Sequence, residues 1–367
     1  MKPQDSLSVQ LAETLMKRYP HPDNYPFRSW CYPQGFLLQG FIRLYQDTGE
    51  ACYRDYVLAF AQHHVSPQGA LYRFQGNSMD DMMAGSILCW ALQQTGEPRY
   101  RTACNAILAS FSDYPRNRCG GFLHSRRGLS GQMWVDGVFM GGMFLLGYAQ
   151  YVDDTAGCTE EVIRQLDCIF QCCHKQGGLL YHAWSEDPQT VWANPETGCS
   201  SDVWSEGLGW YALILTELVR QLPQTHPAYL RMRQRLTMLL DSLCTLQGCD
   251  GLWYQVVDKP RGEDNWTDTS GSAMFTYALA ETARLFPEKD TAYRKAAENA
   301  MKGLRRRAVR NEKGFIDILH ACDGLCVQKS YEDYVHYPQR VNAKEAVAAV
   351  LWAAETMERE SLSSPHK

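Results

Sequence analysis

The stretch Asp136-Gly-Val-Phe-Met-Gly-Gly-Met-Phe-Leu-Leu-Gly-Tyr-Ala-Gln-Tyr151 decides the fold, because its apolar residues cover more than one face of a helix. A helix that is apolar on most sides must be covered on most sides. Five further stretches share this design, in which a small or acidic residue precedes an apolar run at helical spacing. They are 35–47, 80–94, 206–221, 270–285 and 342–357. We predict that these six segments are inner helices.

A second, more polar helical stretch precedes each inner segment. Charges such as Arg231, Arg233 and Arg235 leave these stretches a narrower apolar stripe, as expected for helices with one face in solvent. The six predicted outer helices are about 5–19, 51–64, 99–111, 159–174, 227–246 and 291–308. Alternating apolar and polar helices predict an all-α fold, a closed double ring with the apolar members inside.

The two kinds of connection differ in length. Inner-to-outer joints are short turns with Gly or Pro, such as 47–50, 95–98 and 286–289. Outer-to-inner joints are long and begin with glycine and an extended apolar-polar alternation, at 69–74, 121–124, 178–182, 251–255 and 314–317. We expect short strands or hairpins there, at the end of the ring where the inner helices begin. Long connections favour this end as the functional face.

Composition agrees with one large domain over residues 1–367. The chain is 45% hydrophobic and 12% aromatic, and no Pro-, Gly- or Ser-rich linker divides it. A net charge of −5 and the lack of a basic stripe argue against a general nucleic-acid binder.

The sequence predicts a cytoplasmic protein without a membrane segment. No apolar run approaches the length that spans a bilayer, and the N-terminal residues lack a continuous apolar core. Many of the fourteen cysteines fall inside helical patterns, which favours reduced thiols. The pair Cys322 and Cys326 lacks a matching second pair, so we expect neither a metal nor a cofactor.

Acidic residues at helix starts are the first candidates for chemistry. Asp136 follows Trp134 at the start of the most apolar inner helix, and Asp80 and Asp81 begin the preceding one. An N-cap explains such an aspartate as well as catalysis does, and both interpretations stay open here. If Asp80 faces Asp136 across the mouth of the ring, like-charge repulsion and poor solvation raise the pKa of one of them and keep it protonated.

Aromatic residues are concentrated before and within the fourth inner helix. His182, Trp184 and Trp204 precede that helix and are candidates for a surface on which a sugar stacks. Trp210, inside the helix, also suits the core. His182 is open to a purely structural interpretation as well.

Together these residues resemble the unsaturated rhamnogalacturonyl hydrolases of glycoside hydrolase family 105, relatives of the family 88 unsaturated glucuronyl hydrolases. The resemblance is colinear from about residue 30 to 355. The matching pieces are Trp30-Cys-Tyr32-Pro-Gln-Gly35, Asp80, Trp134-Val-Asp136, Met140, His182-Ala-Trp184, Trp192-Ala-Asn-Pro-Glu-Thr-Gly198, Gly209-Trp210-Tyr211, Gly251-Leu-Trp-Tyr-Gln-Val-Val-Asp-Lys259 and Thr269-Ser-Gly-Ser-Ala-Met274.

The resemblance implies an (α/α)6 barrel and an enzyme that removes a 4,5-unsaturated uronic acid from small oligosaccharides left by polysaccharide lyases. The C4=C5 bond is hydrated, with Asp136 as general acid and base and Asp80 as the second carboxylate. The substrate-binding residues predicted from the resemblance and the aromatic pattern together are Tyr32, Trp134, His182, Trp184, Trp204, Glu206 and Trp210.

One position departs from the family pattern. Many members carry an arginine in the tryptophan-led stretch that opens the fourth inner helix, whereas this chain has Glu206. A glutamate offers acceptors and negative charge in place of a bidentate donor. We expect Glu206 either to pair with a cation such as Arg340 or Lys344, or to face a different group of the substrate.

Two alternatives use the same ring. An isomerase similar to N-acylglucosamine epimerases would need a pair of histidines, and His124, His182 and His336 form no clear pair in the inner helices. A glycan-binding protein without catalysis would keep the aromatic surface, but the retained Asp80 and Asp136 speak against it.

Overall fold

In the computed structural model, which describes residues 6–27 and 29–362, the helices form the predicted double ring. The inner helices are α2 (Tyr32–Thr48), α4 (Gly85–Thr95), α6 (Val135–Tyr151), α8 (Ser205–Gln221), α10 (Thr269–Leu285) and α13 (Lys344–Leu362). The outer helices are α1 (Leu7–Arg18), α3 (Ala51–His64), α5 (Pro98–Ala109), α7 (Cys158–Cys173), α9 (Tyr229–Leu246) and α11 (Asp290–Arg307). A short helix, α12 (Tyr331–Val335), precedes the last inner helix.

The inner helices pack on one another in chain order, and α13 returns to α2, so the ring closes into an (α/α)6 barrel. Close packing requires glycine at some crossings. A Cβ on Gly35 of α2 would lie 2.9 Å from the backbone of Ala84 beside α4, and one on Gly142 of α6 would lie 2.8 Å from Ile214 of α8. The glycines of the inner helices therefore allow neighbouring helices to approach.

The second inner helix begins later than predicted. Residues Met79–Asp81 form a 3-10 turn, and α4 starts only at Gly85. The Asp81 carboxylate accepts the backbone N–H groups of Asn77 at 2.8 Å and Ser78 at 3.4 Å, which holds this turn outside the helix. Asp81 thus has the capping role, and Asp80 is left at the ring mouth.

Five antiparallel strand pairs occupy the end where the inner helices begin. They are β1 (Gln132–Trp134) with β4 (Ala183–Ser185), β2 (His174–Lys175) with β3 (Leu179–Leu180), β5 (Trp253–Tyr254) with β6 (Thr267–Asp268), β7 (Ala308–Arg310) with β8 (Ile316–Ile318), and β9 (Ala321–Cys322) with β10 (Gln339–Arg340). The predicted extended segments 69–74 and 121–124 are not strands. Each contributes one isolated bridge, at Leu71 and Phe122, because the facing segments diverge after a single pair.

The pairing of β1 with β4 joins the connection before α6 to the connection before α8. Trp134 lies opposite Ala183, and Met133 lies opposite Trp184. Since side chains alternate along a strand, Trp134 and Ala183 share one face and pack with Trp192, while Met133 and Trp184 belong to the main core.

A network of buried charges fills the opposite end of the barrel. Arg43 of α2 contacts Glu217 of α8 at 3.0 Å, and its guanidinium lies 4.2 Å from the ring centroid of Trp352. Burial raises the pKa of Glu217, but Arg220 and Arg43 outweigh this effect and lower it to about 2. Ionised Glu217 is therefore the anionic centre of this network.

Glu355 of α13 lies in the same network and behaves in the opposite way. Burial and a hydrogen bond shared with Asp47 raise the pKa of Glu355 to about 8, against the lowering effect of Arg359. Arg359 contacts Glu355 at 3.3 Å and Asp47 at 3.0 Å. Three carboxyl groups share this guanidinium, since Arg359 also contacts Glu281 at 2.8 Å, and Glu355 keeps its proton at neutral pH.

Within the described residues no helix is long and apolar enough to cross a membrane. All fourteen cysteines lie in the described part of the chain and are free thiols. The described histidine, cysteine and acidic residues include no group of three or more placed to hold a metal ion.

Glu355→Gln is expected to change how stability depends on pH. The pKa of Glu355 is about 8 in the folded protein and 4.5 in the unfolded chain. As the pH rises, the unfolded chain therefore loses this proton at a lower pH than the folded protein does. Raising the pH from about 6 to about 9 then destabilises the wild type by roughly 2 kcal/mol relative to the variant. Urea unfolding across this range, with exposed Glu332→Gln as the control, measures the difference; parallel curves for wild type and Glu355→Gln contradict it.

Candidate active site

A ring of acidic side chains surrounds the mouth of the barrel. Four of them come from the start of an inner helix, where the helix dipole and free N–H groups favour negative charge, and Asp80 comes from the 3-10 turn before α4. These five carboxyl groups belong to Asp80, Asp136, Glu206, Asp268 and Glu345. The strand pairs and the connection 322–330 lie at this same end. The predicted functional face and the acidic residues therefore coincide.

Asp136 is not the N-cap of its helix. Trp134 holds the N-cap position of α6, and Asp136 is the second helical residue, with no side-chain capping bond. It is 9% exposed, and its Oδ2 atom has no hydrogen-bond partner among the described residues. The nearest charged contact of Oδ2 is Nε2 of His182, at 3.2 Å. The structure thus removes the capping explanation that the sequence left open.

His182 is buried, and its contacts orient its ring. Its Nδ1 atom lies 2.8 Å from the Tyr334 hydroxyl, and its ring centroid lies 4.5 Å from that of Trp204. The Tyr334 oxygen accepts the backbone N–H of Gln328 at 3.3 Å, so its own proton is free to go to Nδ1. This arrangement favours the tautomer in which Nε2 carries the proton.

Asp80 has a similar histidine partner. Its Oδ1 atom lies 3.8 Å from Nε2 of His124, and His124 stacks on Trp134 with ring centroids 4.2 Å apart and planes 9° apart. Burial raises the pKa of Asp80, His124 lowers it, and Asp136 raises it further. The predicted upward shift from poor solvation and like-charge repulsion is therefore found at Asp80.

Sequence patterns did not identify His124 as a site residue. It is placed by two long-range contacts, a bridge between Ser78 and Ser125 and the hydrogen bond from Met79 N–H to the His124 carbonyl at 3.0 Å. The structure brings two carboxylate–histidine pairs to either side of Trp134. The Trp134 ring also lies 6.0 Å from the ring of His182.

Among the residues that the structure describes, Glu206 forms no ion pair with Arg340 or Lys344, the two cations that the sequence suggested. It accepts a hydrogen bond from Ser270 Oγ at 2.7 Å, and Arg340 instead pairs with Asp323 at 3.1 Å. Burial, followed by the charges of Glu345 and Asp268, raises the pKa of Glu206 well above its ordinary value, while Lys344 opposes this effect. The surroundings of Glu206 therefore favour its protonated form.

Of the remaining predicted residues, Tyr32 lies at the side of the site and Trp210 lies beneath it. Tyr32 is half-buried, and its hydroxyl donates to Oε1 of Glu345. Beneath it, Trp210 is buried against Phe36 at 4.7 Å and Phe139 at 4.8 Å between ring centroids. Trp210 forms the floor of the barrel, as the core interpretation expected.

Trp184 is not brought to this site. Its indole N–H donates to the Thr197 carbonyl at 3.0 Å, and its ring faces Arg118 at 5.2 Å. The prediction placed Trp184 beside Trp204, but strand alternation turns it to the opposite face from Trp134. Its contacts are those of a core residue.

The connection 322–330 covers the acidic ring. Leu325 packs with Trp204 and Tyr334, and Val327 packs with Trp134. Between them, the pKa of Cys326 is raised by burial and by the charges of Asp136 and Asp80. The sequence of this segment shows only the isolated spacing of Cys322 and Cys326. That spacing does not predict that the segment lies over the acidic ring.

The sequence pattern of Glycosyl Hydrolase Family 88 matches residues 7–361. The protein Atu3128 of Agrobacterium fabrum is 36% identical over 126 residues, which are 34% of this chain and 54% of that protein, so the match spans about half of the relative's length. The unsaturated rhamnogalacturonyl hydrolase YesR of Bacillus subtilis is 23% identical over 320 residues, 85% of each chain. A family 105 glycoside hydrolase from C. acetobutylicum shares the fold with a TM-score of 0.88 at 24% identity, over 96% of this chain and 99% of that chain.

Proposed function

We propose that this chain, which belongs to Glycosyl Hydrolase Family 88, removes a 4,5-unsaturated uronic acid from the non-reducing end of oligosaccharides made by polysaccharide lyases. The family match and the similarity to the B. subtilis rhamnogalacturonyl hydrolase support a pectin-derived substrate. The observation that carries the proposal is Asp136, a buried aspartate whose Oδ2 atom has no hydrogen-bond partner within the described chain and faces His182 at the barrel mouth.

The chemistry follows from the electron distribution of the substrate. The C4=C5 bond of the unsaturated sugar is an enol ether, so C4 is electron-rich and accepts a proton. Asp136 donates this proton, and the positive charge that develops at C5 is shared with the ring oxygen. Water then adds at C5 and returns a proton to the Asp136 carboxylate. The hemiketal at C5 opens, and the linked sugar is released.

Groups around Asp136 are placed to assist the proton transfer. Nε2 of His182 lies 3.2 Å from the Asp136 carboxylate, within range to stabilise its charge after the proton has left. Asp80, held by His124, faces the same space and is assigned to sugar hydroxyl groups. Trp134, between the two histidines, supplies apolar surface for the sugar ring, whereas Trp204 is fully buried behind His182 and supports its ring.

The two alternatives predict different outcomes with the same substrate. An epimerase-like isomerase would leave the double bond intact, and a binding protein would leave the oligosaccharide unchanged. The structure gives each of His124 and His182 a carboxylate partner, which suits acid–base work at one double bond. For location, the fourteen free thiols support our proposal of a reducing compartment, the cytoplasm.

Asp136→Asn is expected to lower kcat by about 1,000-fold, because an amide has no acidic proton to donate to C4. Loss of the ultraviolet absorbance of the conjugated double bond in a lyase-made disaccharide measures turnover. Exposed Asp113→Asn serves as the control, and circular dichroism checks folding of both variants. Turnover by Asp136→Asn at the wild-type rate contradicts the assignment.

Tyr334→Phe removes the hydroxyl that fixes Nδ1 of His182 and is expected to lower kcat about 10-fold with little change in KM. The pH dependence of kcat should also shift, because the imidazole loses the partner that sets its tautomer. Tyr331→Phe, in the same short helix, is the matched control, since its hydroxyl donates to the Glu263 carbonyl instead. An unchanged pH profile for Tyr334→Phe shows that the hydroxyl has no part in the reaction.

A further inference from the structure

The acidic ring poses a problem for the proposed substrate, which itself carries a carboxylate on C5. Asp80, Asp136, Glu206, Asp268 and Glu345 all lie at the barrel mouth, and an anionic sugar bound among them would be repelled unless a cation offsets its charge. The two histidines nearest to the reaction already contact Asp136 and Asp80.

Lys344 supplies a cation at this mouth. It is the first residue of α13, and its Nζ atom lies 2.7 Å from Oε1 of Glu345. Its Nζ atom also lies 5.9 Å from the centroid of the Tyr32 ring, and a Cβ on Gly324 would come within 3.0 Å of it. The ammonium group is thus held between the start of α2 and the connection 322–330, at the mouth of the site.

The contacts of Lys344 leave it able to bind a further acceptor. An ammonium group has three N–H donors, and the Glu345 carboxylate takes one of them. The side chain is 24% exposed, whereas Glu345 is 1% exposed and is also bound by the Tyr32 hydroxyl. Glu345 therefore positions Lys344, and the ammonium group keeps an open side.

The electrostatic neighbours of Lys344 also indicate that its ammonium group faces the site. Its charge acts on Glu206 and on Cys31 beside Tyr32, so it faces the space between α2, α8 and α13. Arg340, the neighbouring cation, is 64% exposed and pairs with Asp323.

We propose that Lys344 is a specificity-determining residue that binds the carboxylate of the substrate, with Glu345 as its positioning residue. The proposal rests on the proposed function and adds to it the means by which an acidic pocket accepts an acidic sugar. Lys344 makes this chain selective for a free carboxylate at C5 over the same sugar with an esterified or neutral group.

The test compares an unsaturated disaccharide that has a free uronic carboxylate with its methyl ester. Lys344→Met should raise KM for the acid about 30-fold while kcat changes by less than about 3-fold, because a charge-assisted hydrogen bond is lost. KM for the ester, or its inhibition constant where it binds without turnover, should stay within about 2-fold. Lys344→Arg should restore most of the affinity for the acid, and Arg340→Met is the control that changes neither value.

The outcomes separate this proposal from the proposed function. A wild type that consumes neither substrate contradicts the function itself. An active wild type whose ratio of acid to ester affinity is the same in Lys344→Met contradicts the role of Lys344. The ester measurement also reports folding, since a damaged pocket would lose affinity for both compounds.

Discussion

The shared direction of the six inner helices is the constraint on which the rest of the structure depends. All six begin at one end of the barrel, so their dipoles and free N–H groups add there, and five carboxyl groups are tolerated within one mouth. At the opposite end the helices finish, and the side chains that gather there include Arg43, Arg220 and Arg359. Both clusters of charged residues follow from the common direction of the inner helices.

Local sequence patterns were sufficient for the helices and for placing Asp80 and Asp136 at the mouth of the ring, whereas the proposed roles of these aspartates came from the family resemblance. Inner helices are apolar on most sides, and outer helices have a narrower apolar stripe. This difference depends only on residues within one helix. The start of α4 was predicted too early because Asp80 and Asp81 look equivalent in sequence, and only Asp81 turns back to the N–H groups of Asn77 and Ser78.

Residues that depend on long-range pairing could not be predicted in the same way. Trp184 is adjacent to matched residues in sequence, but its register opposite Met133 turns it into the core. His124 and Tyr334 come from connections that pack against distant segments, and no local spacing marks them. The resemblance to a known family supplied Tyr32, which periodicity alone would have left as an ordinary aromatic residue, whereas the aromatic cluster before the fourth inner helix had already indicated Trp204.

The floor of the barrel has a consequence for how a polymer can be handled. Trp210, Phe36 and Phe139 close the central space below Tyr32. A bound saccharide therefore has no exit through the ring and must enter and leave by the same opening. On the proposed function, such a dead-end chamber would admit a chain by its tip alone and trim it one terminal unit at a time, and any decoration on that unit would have to fit inside.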